Sequence, residues 1–96
     1  MAKLIWSPKA TVDLEESCEY ISRDSEHYAK LFAQKIVALV ETIAEFPMAG
    51  RIVPEYQRDN LRERIFQNYR IVYRVKPEVV EIVAIVHGAR LLLELE

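Results

Sequence analysis

Apolar residues recur at helical spacing in the first half of the chain. The spacing predicts one helix from Pro8 to about Arg23, with Ser7 as its N-cap. Asp24-Ser25 offers a break and a new cap, and a second helix is predicted to run from there to about Phe46. Its apolar stripe consists of Tyr28, Phe32, Ile36, Leu39, Ile43 and Phe46. Because the joint is short, the two helices should form an antiparallel hairpin.

Shorter patterns at both ends of this helical region predict β-strands. A short apolar strand covers Lys3–Trp6, and a loop at Met48–Asn60 separates the helices from the rest of the sheet. Three further strands are predicted at Leu61–Phe66, Tyr69–Lys76 and Val79–Val86. The last is apolar on both faces apart from Glu81, which places it inside the sheet. The order β-α-α-β-β-β predicts a single α+β domain over residues 1–96, with a helical hairpin on one face of a small, mainly antiparallel sheet.

The polar positions of the predicted hairpin are rich in arginine. Arg70 and Arg74 alternate with apolar residues in one strand, and Arg62 and Arg64 do so in the strand before it. If all four share one face, four guanidinium groups line the sheet surface that the helices leave open. Guanidinium groups are planar, bidentate donors for carboxylates or phosphates. A solvated polar face without a binding role is the alternative.

Charge and composition narrow the class of protein. The net charge is −2, yet residues 50–76 hold seven basic and three acidic side chains, a basic island in an acidic chain. Such an island attracts anionic groups locally, but a protein that grips phosphates by charge alone usually has a high isoelectric point. No apolar run reaches the length of a membrane span and no signal pattern opens the chain. The lone Cys18 predicts a buried structural thiol in a reducing cytoplasm.

Several common kinds of site have no sequence signal. Only two glycines occur, Gly50 and Gly88, so a glycine-rich phosphate loop is excluded. One cysteine and two distant histidines make no plausible zinc site, and the serines lack a nearby base. We therefore expect neither a metal nor a cofactor.

Three residues near strand ends are candidates for chemistry. His87 follows the central strand and Arg90 lies three residues beyond it; a histidine can transfer protons near neutral pH, and an arginine can stabilise developing negative charge. The alternative is that both simply end the strand and bond to carbonyls. Arg51 follows Gly50, which is expected to allow a sharp turn that places Arg51 at the mouth of the sheet. The alternative there is an ordinary loop arginine.

Four segments in their order and spacing resemble the RelE/ParE superfamily, the toxins of type II toxin–antitoxin systems. They are W-S-P-K-A (Trp6–Ala10), G-R-I-V-P-E (Gly50–Glu55), Y-R-I-V-Y-R-V (Tyr69–Val75) and H-G-A-R (His87–Arg90). The resemblance extends along nearly the whole chain. G-R-I-V-P-E and the short H-G-A-R look more like the ParE branch, and the acidic net charge and lack of a lysine-rich cluster agree.

The resemblance implies two activities. ParE-like toxins poison DNA gyrase by trapping its cleaved-DNA complex, without hydrolytic chemistry of their own. RelE-like toxins cut messenger RNA on the ribosome; in that alternative the catalytic candidates are Arg70, Arg74, His87 and Arg90. A third alternative is a non-toxic relative that only binds its antitoxin. For toxicity the resemblance points to five target-binding residues: Arg51, Arg70, Arg74, His87 and Arg90. Tyr69 and Tyr73 are candidate supports, although sharing a face with Ile71 and Val75 favours a core position.

All these alternatives imply a cognate antitoxin as partner. Family antitoxins wrap the toxin with a C-terminal segment that folds on binding. We expect that segment to use the open sheet face and an exposed strand edge, meeting Arg62, Arg64, Arg70 or Arg74.

Overall fold

The computed structural model describes residues 2–88. In chain order the elements are β1 (Lys3–Trp6), α1 (Pro8–Ser22), α2 (Glu26–Glu45), a 3-10 turn (Pro47–Ala49), β2 (Arg51–Ile52), β3 (Leu61–Phe66), β4 (Tyr69–Lys76) and β5 (Val79–His87). The predicted α+β fold is confirmed. One short strand is new: β2 lies within the segment that was expected to be a loop. No helix of the described residues is long and apolar enough to cross a membrane.

Both helices begin at the predicted serine caps. The Ser7 hydroxyl accepts a hydrogen bond from the backbone N–H of Ala10 at 3.0 Å, and that of Ser25 accepts one from Tyr28 at 3.0 Å. Pro47 follows the end of α2 and opens the 3-10 turn. The Ser7 cap fixes the direction in which the chain leaves β1, and the Ser25 cap ends the turn between the two helices.

The five strands form one sheet in the order β1-β5-β4-β3-β2. β1 runs parallel to β5 and the other neighbours are antiparallel, so β5 is interior, as predicted. The helices pack on one face, where the core consists of Ala10, Phe32, Ile36, Val40, Ile43, Tyr69, Ile71, Tyr73, Val80, Ile82 and Ile85. This layer accounts for most of the apolar pattern in the sequence.

The other sheet face is less open than expected. A second buried cluster lies there, formed by Val53, Leu61, Val72, Val83, Ala84 and Val86, with Tyr56 packed against it. Val53 and Tyr56 belong to the segment between β2 and β3, so that segment folds back over part of the sheet. The expectation of a fully open face is therefore wrong, because the apolar positions of β5 point to both sides of the sheet and require a cover on each.

α1 is fastened to an irregularity in β5. The register between β4 and β5 shifts beside Val83, where a bulge interrupts the ladder. The Ser7 hydroxyl donates to the Val83 carbonyl at 3.0 Å, and a carboxylate oxygen of Asp13 accepts the Ile85 N–H at 2.9 Å. The Ser7 and Asp13 side chains thus satisfy two backbone groups of β5, one at the bulge and one two residues after it.

Candidate functional site

The register of the β3–β4 hairpin separates the arginines onto two faces. The turn at Gln67-Asn68 pairs Arg64 with Ile71 and Arg62 with Tyr73. Residues directly opposite each other in an antiparallel pair share a face, and Ile71 and Tyr73 face the helices. Both arginines of β3 therefore lie on the helix side of the sheet.

Arg70 and Arg74 occupy the alternate positions of β4 and lie on the opposite face. The prediction that four arginines share one open face is therefore wrong, since two lie on each side. Whether Arg62, Arg64, Arg70 and Arg74 meet an antitoxin stays a prediction.

Arg70 is buried and bound to two carboxylates. Its terminal nitrogens donate to the two oxygens of Glu55 at 2.8 and 2.7 Å, a bidentate pair. Its Nε donates to Glu63 Oε1 at 2.7 Å, and the side chain of Glu63 is fully buried. The hydrogen bond to Glu55 is the main cause that raises the pKa of Arg70, with Glu63 adding to it and burial opposing it. The charge of Arg70 is thus neutralised within the fold rather than offered to a partner.

Arg51 is the exposed end of the same set of contacts. Its Nε donates to Oε2 of Glu63, the oxygen not facing Arg70 Nε, while 61% of its side chain remains exposed. Glu55, Arg70, Glu63 and Arg51 hence form a continuous ion-pair chain that ties the β2 segment to β3 and β4. Arg51 lies on β2, the edge strand of the sheet.

Gly50 places Arg51 by a different mechanism from the one predicted. Its φ of −75° and ψ of 157° are extended, so no sharp turn occurs there. The Tyr73 hydroxyl accepts the Gly50 N–H at 3.1 Å and donates to the Pro47 carbonyl at 2.6 Å. A Cβ on Gly50 would collide with that hydroxyl and lie 2.7 Å from the carbonyl oxygen of Glu63. The glycine is needed for close approach, not for a turn.

Tyr73 is a core residue, as the strand pattern predicted. It is fully buried under the helices. Burial is the main cause that raises the pKa of its phenol, while the Gly50 hydrogen bond and the charges of Arg62 and Arg64 act in the opposite direction. Tyr73 therefore supports the site indirectly by anchoring the backbone before Arg51.

Arg62 also acts within the fold. Its Nη1 donates to the carbonyls of Gly50 at 2.9 Å and Met48 at 3.3 Å. Its Nε and Nη2 reach the carbonyl and the carboxylate of Asp59, both at 2.9 Å. Only 12% of the side chain is exposed. Arg62 thus clamps the ends of the loop that carries β2.

An open groove of about 680 Å³ runs beside the exposed end of the ion-pair chain. It is lined by Arg51, Pro54, Glu55, Ile65, Gln67, Asn68, Tyr69, Arg70 and Gly88. Ile65, which lines the same groove as Arg51, is an apolar side chain that is 52% exposed. The groove therefore combines one accessible cation, one accessible aliphatic side chain and the turn of the β3–β4 hairpin.

His87 lies on the other side of the sheet from Arg70. It ends β5 opposite Tyr69, and the two rings are in contact with centroids 4.8 Å apart. Tyr69 is a core residue on the helix side, so His87 is separated by the sheet from Arg70 and Arg74. Arg90 lies outside the described residues. The predicted target-binding set is thus only partly assembled: Arg51 and Arg70 share the groove, whereas His87 is on the opposite face.

Glu55 and Glu63 are the site residues that sequence reasoning missed. Glu63 shares one face of β3 with Leu61 and Ile65, so the period-two pattern already placed a charge among apolar positions. Buried charges are paired in folded proteins, and that rule would have directed the search to an arginine partner. Within residues 2–88, no group of three or more histidine, cysteine, aspartate or glutamate side chains is arranged to hold a metal ion.

This chain is similar to a known protein family, a curated relative and a solved structure. The family described as the ParE toxin of type II toxin-antitoxin system, parDE, matches residues 4–92. A curated relative, Toxin RelE2 of Caulobacter vibrioides, is 32% identical over 91 residues, which span 95% of this chain and all of the relative. A solved structure described as the chromosomal ParDE TA system from P. aeruginosa superposes with a TM-score of 0.76 over 92% of this chain and 97% of that chain, at 23% identity. The chain belongs to the ParE toxin family of type II toxin–antitoxin systems.

Proposed function

We propose that this toxin inhibits DNA gyrase and that a cognate antitoxin neutralises it. The observation that carries the proposal is the anchored but exposed Arg51 beside Ile65, a surface suited to binding another protein. Arginine and apolar side chains together are typical of interface anchors. The ParE-like motifs support gyrase as the target. The family description and the similar structure, described as a ParDE TA system, support an antitoxin as the partner.

Two of the candidate catalytic residues, His87 and Arg70, are placed in a way that favours binding over hydrolysis. Cutting a phosphodiester needs a proton-transfer group and a stabilising cation within reach of the same phosphate. His87 lies on the helix side of the sheet, whereas Arg70 is buried on the other side and held by two carboxylates. This separation supports the gyrase proposal over the RelE-like alternative.

A gyrase assay with supercoiled plasmid tests the proposal. The purified protein should trap cleaved complexes that yield linear DNA. Arg51→Ala should raise the concentration needed for half-maximal trapping by about 10- to 100-fold, because a hydrogen bond to a charged group contributes about 1.5–3 kcal/mol. Arg23→Ala is the matched control, since Arg23 is an exposed arginine at the C-cap of α1 whose ion-pair partner is Glu19 of that helix. Folded protein that neither traps cleavage nor slows supercoiling would contradict gyrase as target.

The edge of β3 is the docking site that we propose for the antitoxin. β2 pairs only with Arg62 and Glu63, and no strand among the described residues pairs with the same edge at residues 64–66. Ile65 is exposed there, and the half-buried Arg64 lies on the other face of the same stretch. An unpaired strand edge accepts an extended segment through backbone hydrogen bonds, and alternate side chains give specificity. An apolar residue over Ile65 and an acidic residue near Arg51 or Arg64 would suit this edge.

Calorimetric titration with the cognate antitoxin tests this docking site. Ile65→Asp should weaken binding by at least about 10-fold, because it buries a carboxylate where an apolar contact is expected. Ile5→Asp is the control, since Ile5 is an exposed isoleucine on β1 at the far edge of the sheet. Equal losses from both changes, or none from either, would reject the β3 edge. Arg64→Ala and Arg74→Ala in the same titration decide the roles predicted for those two residues.

A further inference from the structure

We infer that Glu63 is a positioning residue, whose buried carboxylate holds the Arg51 guanidinium in place for contact with the toxin's target. The inference rests on the proposed function only for the identity of that target. It assigns a role to a residue that makes no contact with solvent and therefore none with a partner.

The two oxygens of Glu63 have different partners. Oε1 accepts from Arg70, with Nε at 2.7 Å and Nη2 at 2.6 Å, and Oε2 accepts from Nε of Arg51. Arg70 is in turn fixed by its bidentate contact with Glu55. The orientation of the Glu63 carboxylate is therefore set from inside the fold. Its outer oxygen is left in a defined position for a single further donor.

Anchoring through Nε leaves the terminal nitrogens of Arg51 available. In the part of the chain that the structure describes, both Nη atoms lack a hydrogen-bond partner, and 61% of the side chain is exposed at the groove. These two nitrogens form a planar pair of donors that matches a bidentate acceptor. An unanchored arginine on the surface would instead sample many rotamers.

The benefit to binding is entropic. Immobilising a long side chain on association costs about 0.5–1.5 kcal/mol, and a group already ordered by folding avoids that cost. The buried carboxylate also orients the guanidinium through a charge-assisted bond rather than through packing. Losing Glu63 should therefore weaken target binding by about 2- to 10-fold, less than losing Arg51 itself, although Glu63 is only 1% exposed.

The first test uses the chain alone. In nitrogen-15 NMR spectra, the Arg51 Nε–H should exchange slowly with solvent because a buried carboxylate holds it. Glu63→Gln should accelerate that exchange by at least about 10-fold, the effect of losing about 1.4 kcal/mol of protection. Glu55→Gln is the matched control: it removes a carboxylate from the same ion-pair chain but leaves the Arg51 contact, so exchange should stay within about 2-fold of wild type. Unchanged exchange in Glu63→Gln would overturn the inference.

The second test is a double-mutant cycle in the gyrase assay, with potency corrected for the folded fraction. Arg51→Ala should weaken trapping by about 10-fold or more and Glu63→Gln by about 2- to 10-fold, and the double variant should be no weaker than Arg51→Ala alone. Additive losses would mean that Glu63 does not act through Arg51.

If Glu63→Gln does not fold, Arg51→Lys replaces it in the gyrase assay. Lysine keeps the charge but has no guanidinium Nε to be anchored, so Arg51→Lys should lose as much potency as Arg51→Ala. A fully active Arg51→Lys would overturn the inference.

The two proposals fail in distinguishable ways. A wild-type protein without effect on gyrase removes the proposed target, and the NMR exchange rates then decide the positioning role alone. A protein that poisons gyrase, but whose Arg51 and Glu63 variants lose potency additively, keeps the proposed function and removes the role of Glu63.

Discussion

Replacing Arg70 with methionine should lower the free energy of unfolding by about 3–5 kcal/mol, as expected when one partner of a buried ion pair is removed. The change leaves the fully buried Glu63 carboxylate with only Arg51, whose side chain is largely in solvent. It also removes both hydrogen bonds to Glu55. Methionine is similar in length and apolar, so the space is largely filled. Equilibrium unfolding in urea, followed by circular dichroism, measures the loss.

Two further variants separate charge from packing in this prediction. Arg23→Met removes an ion pair with Glu19 in which both side chains are about 70% exposed, and it should change the free energy of unfolding by no more than about 0.5 kcal/mol. Arg70→Met combined with Glu63→Leu should recover a large part of the loss, because the fully buried Glu63 carboxylate is no longer left without Arg70. A double variant as unstable as Arg70→Met alone would show that steric fit, not charge, dominates.

The expected instability changes how Arg70 variants are to be interpreted. The sequence pattern made Arg70 a candidate for target contact, antitoxin contact and catalysis at once. All three predicted roles require an accessible cation, whereas Arg70 is 9% exposed and bound to two carboxylates. A loss of toxicity in Arg70→Ala would follow from unfolding alone. Arg51 is the better probe of binding, because its exposed side chain can be truncated with little effect on the core.

Periodicity was sufficient for most of the fold. The helices begin at Ser7 and Ser25, as their capping chemistry predicted, and β3 and β4 have the predicted bounds. The doubly apolar Val79–His87 strand is interior, because only a strand covered on both faces can bury both sets of side chains. These features depend on local spacing and burial, which a sequence displays directly.

The faces on which the four arginines lie could also have been predicted from the sequence. A two-residue turn at Gln67-Asn68 fixes the hairpin register, and that register pairs Arg62 with Tyr73 and Arg64 with Ile71. Once Tyr73 and Ile71 are assigned to the core, the arginines of β3 must lie on the helix side. The error came from treating each strand's polar face separately instead of aligning the two strands through their turn.

The ion-pair chain could not have been predicted from strand periodicity and hairpin register. Glu63 could be recognised from the sequence as a charge at an inward position. However, two of the four residues in the ion-pair chain, Arg51 and Glu55, lie in the segment around β2. That segment has no periodicity, and its path is set by tertiary contacts such as the Arg62 bonds to the Gly50 and Met48 carbonyls. Partners supplied by irregular backbone become visible only in three dimensions.

Gly50→Ala should lower the free energy of unfolding by about 3 kcal/mol, at the upper end of the cost of overpacking a well-packed site. The added Cβ meets the Tyr73 hydroxyl and lies 2.7 Å from the Glu63 carbonyl oxygen. Tyr73 cannot yield easily, because it is fully buried and its hydroxyl bonds to Gly50 and Pro47. Thermal and urea unfolding of the purified variant measure the loss.

Gly88 is the matched comparison for Gly50, because its backbone conformation, and not close packing, favours glycine there. Its φ is +69°, and a Cβ there would meet nothing within 4 Å. Asparagine tolerates left-handed backbone, so Gly88→Asn should cost no more than about 0.5–1 kcal/mol, whereas Gly50→Asn should be at least as harmful as Gly50→Ala.

Adding Tyr73→Phe to Gly50→Ala removes the hydroxyl from the collision, so the double variant should be less unstable than the sum of the two single losses. Two results would contradict this prediction: strictly additive losses in the free energy of unfolding, or a loss below about 1 kcal/mol for Gly50→Ala. Either result would show that the backbone before Arg51 can move aside, so that packing against Tyr73 does not fix the position of Arg51.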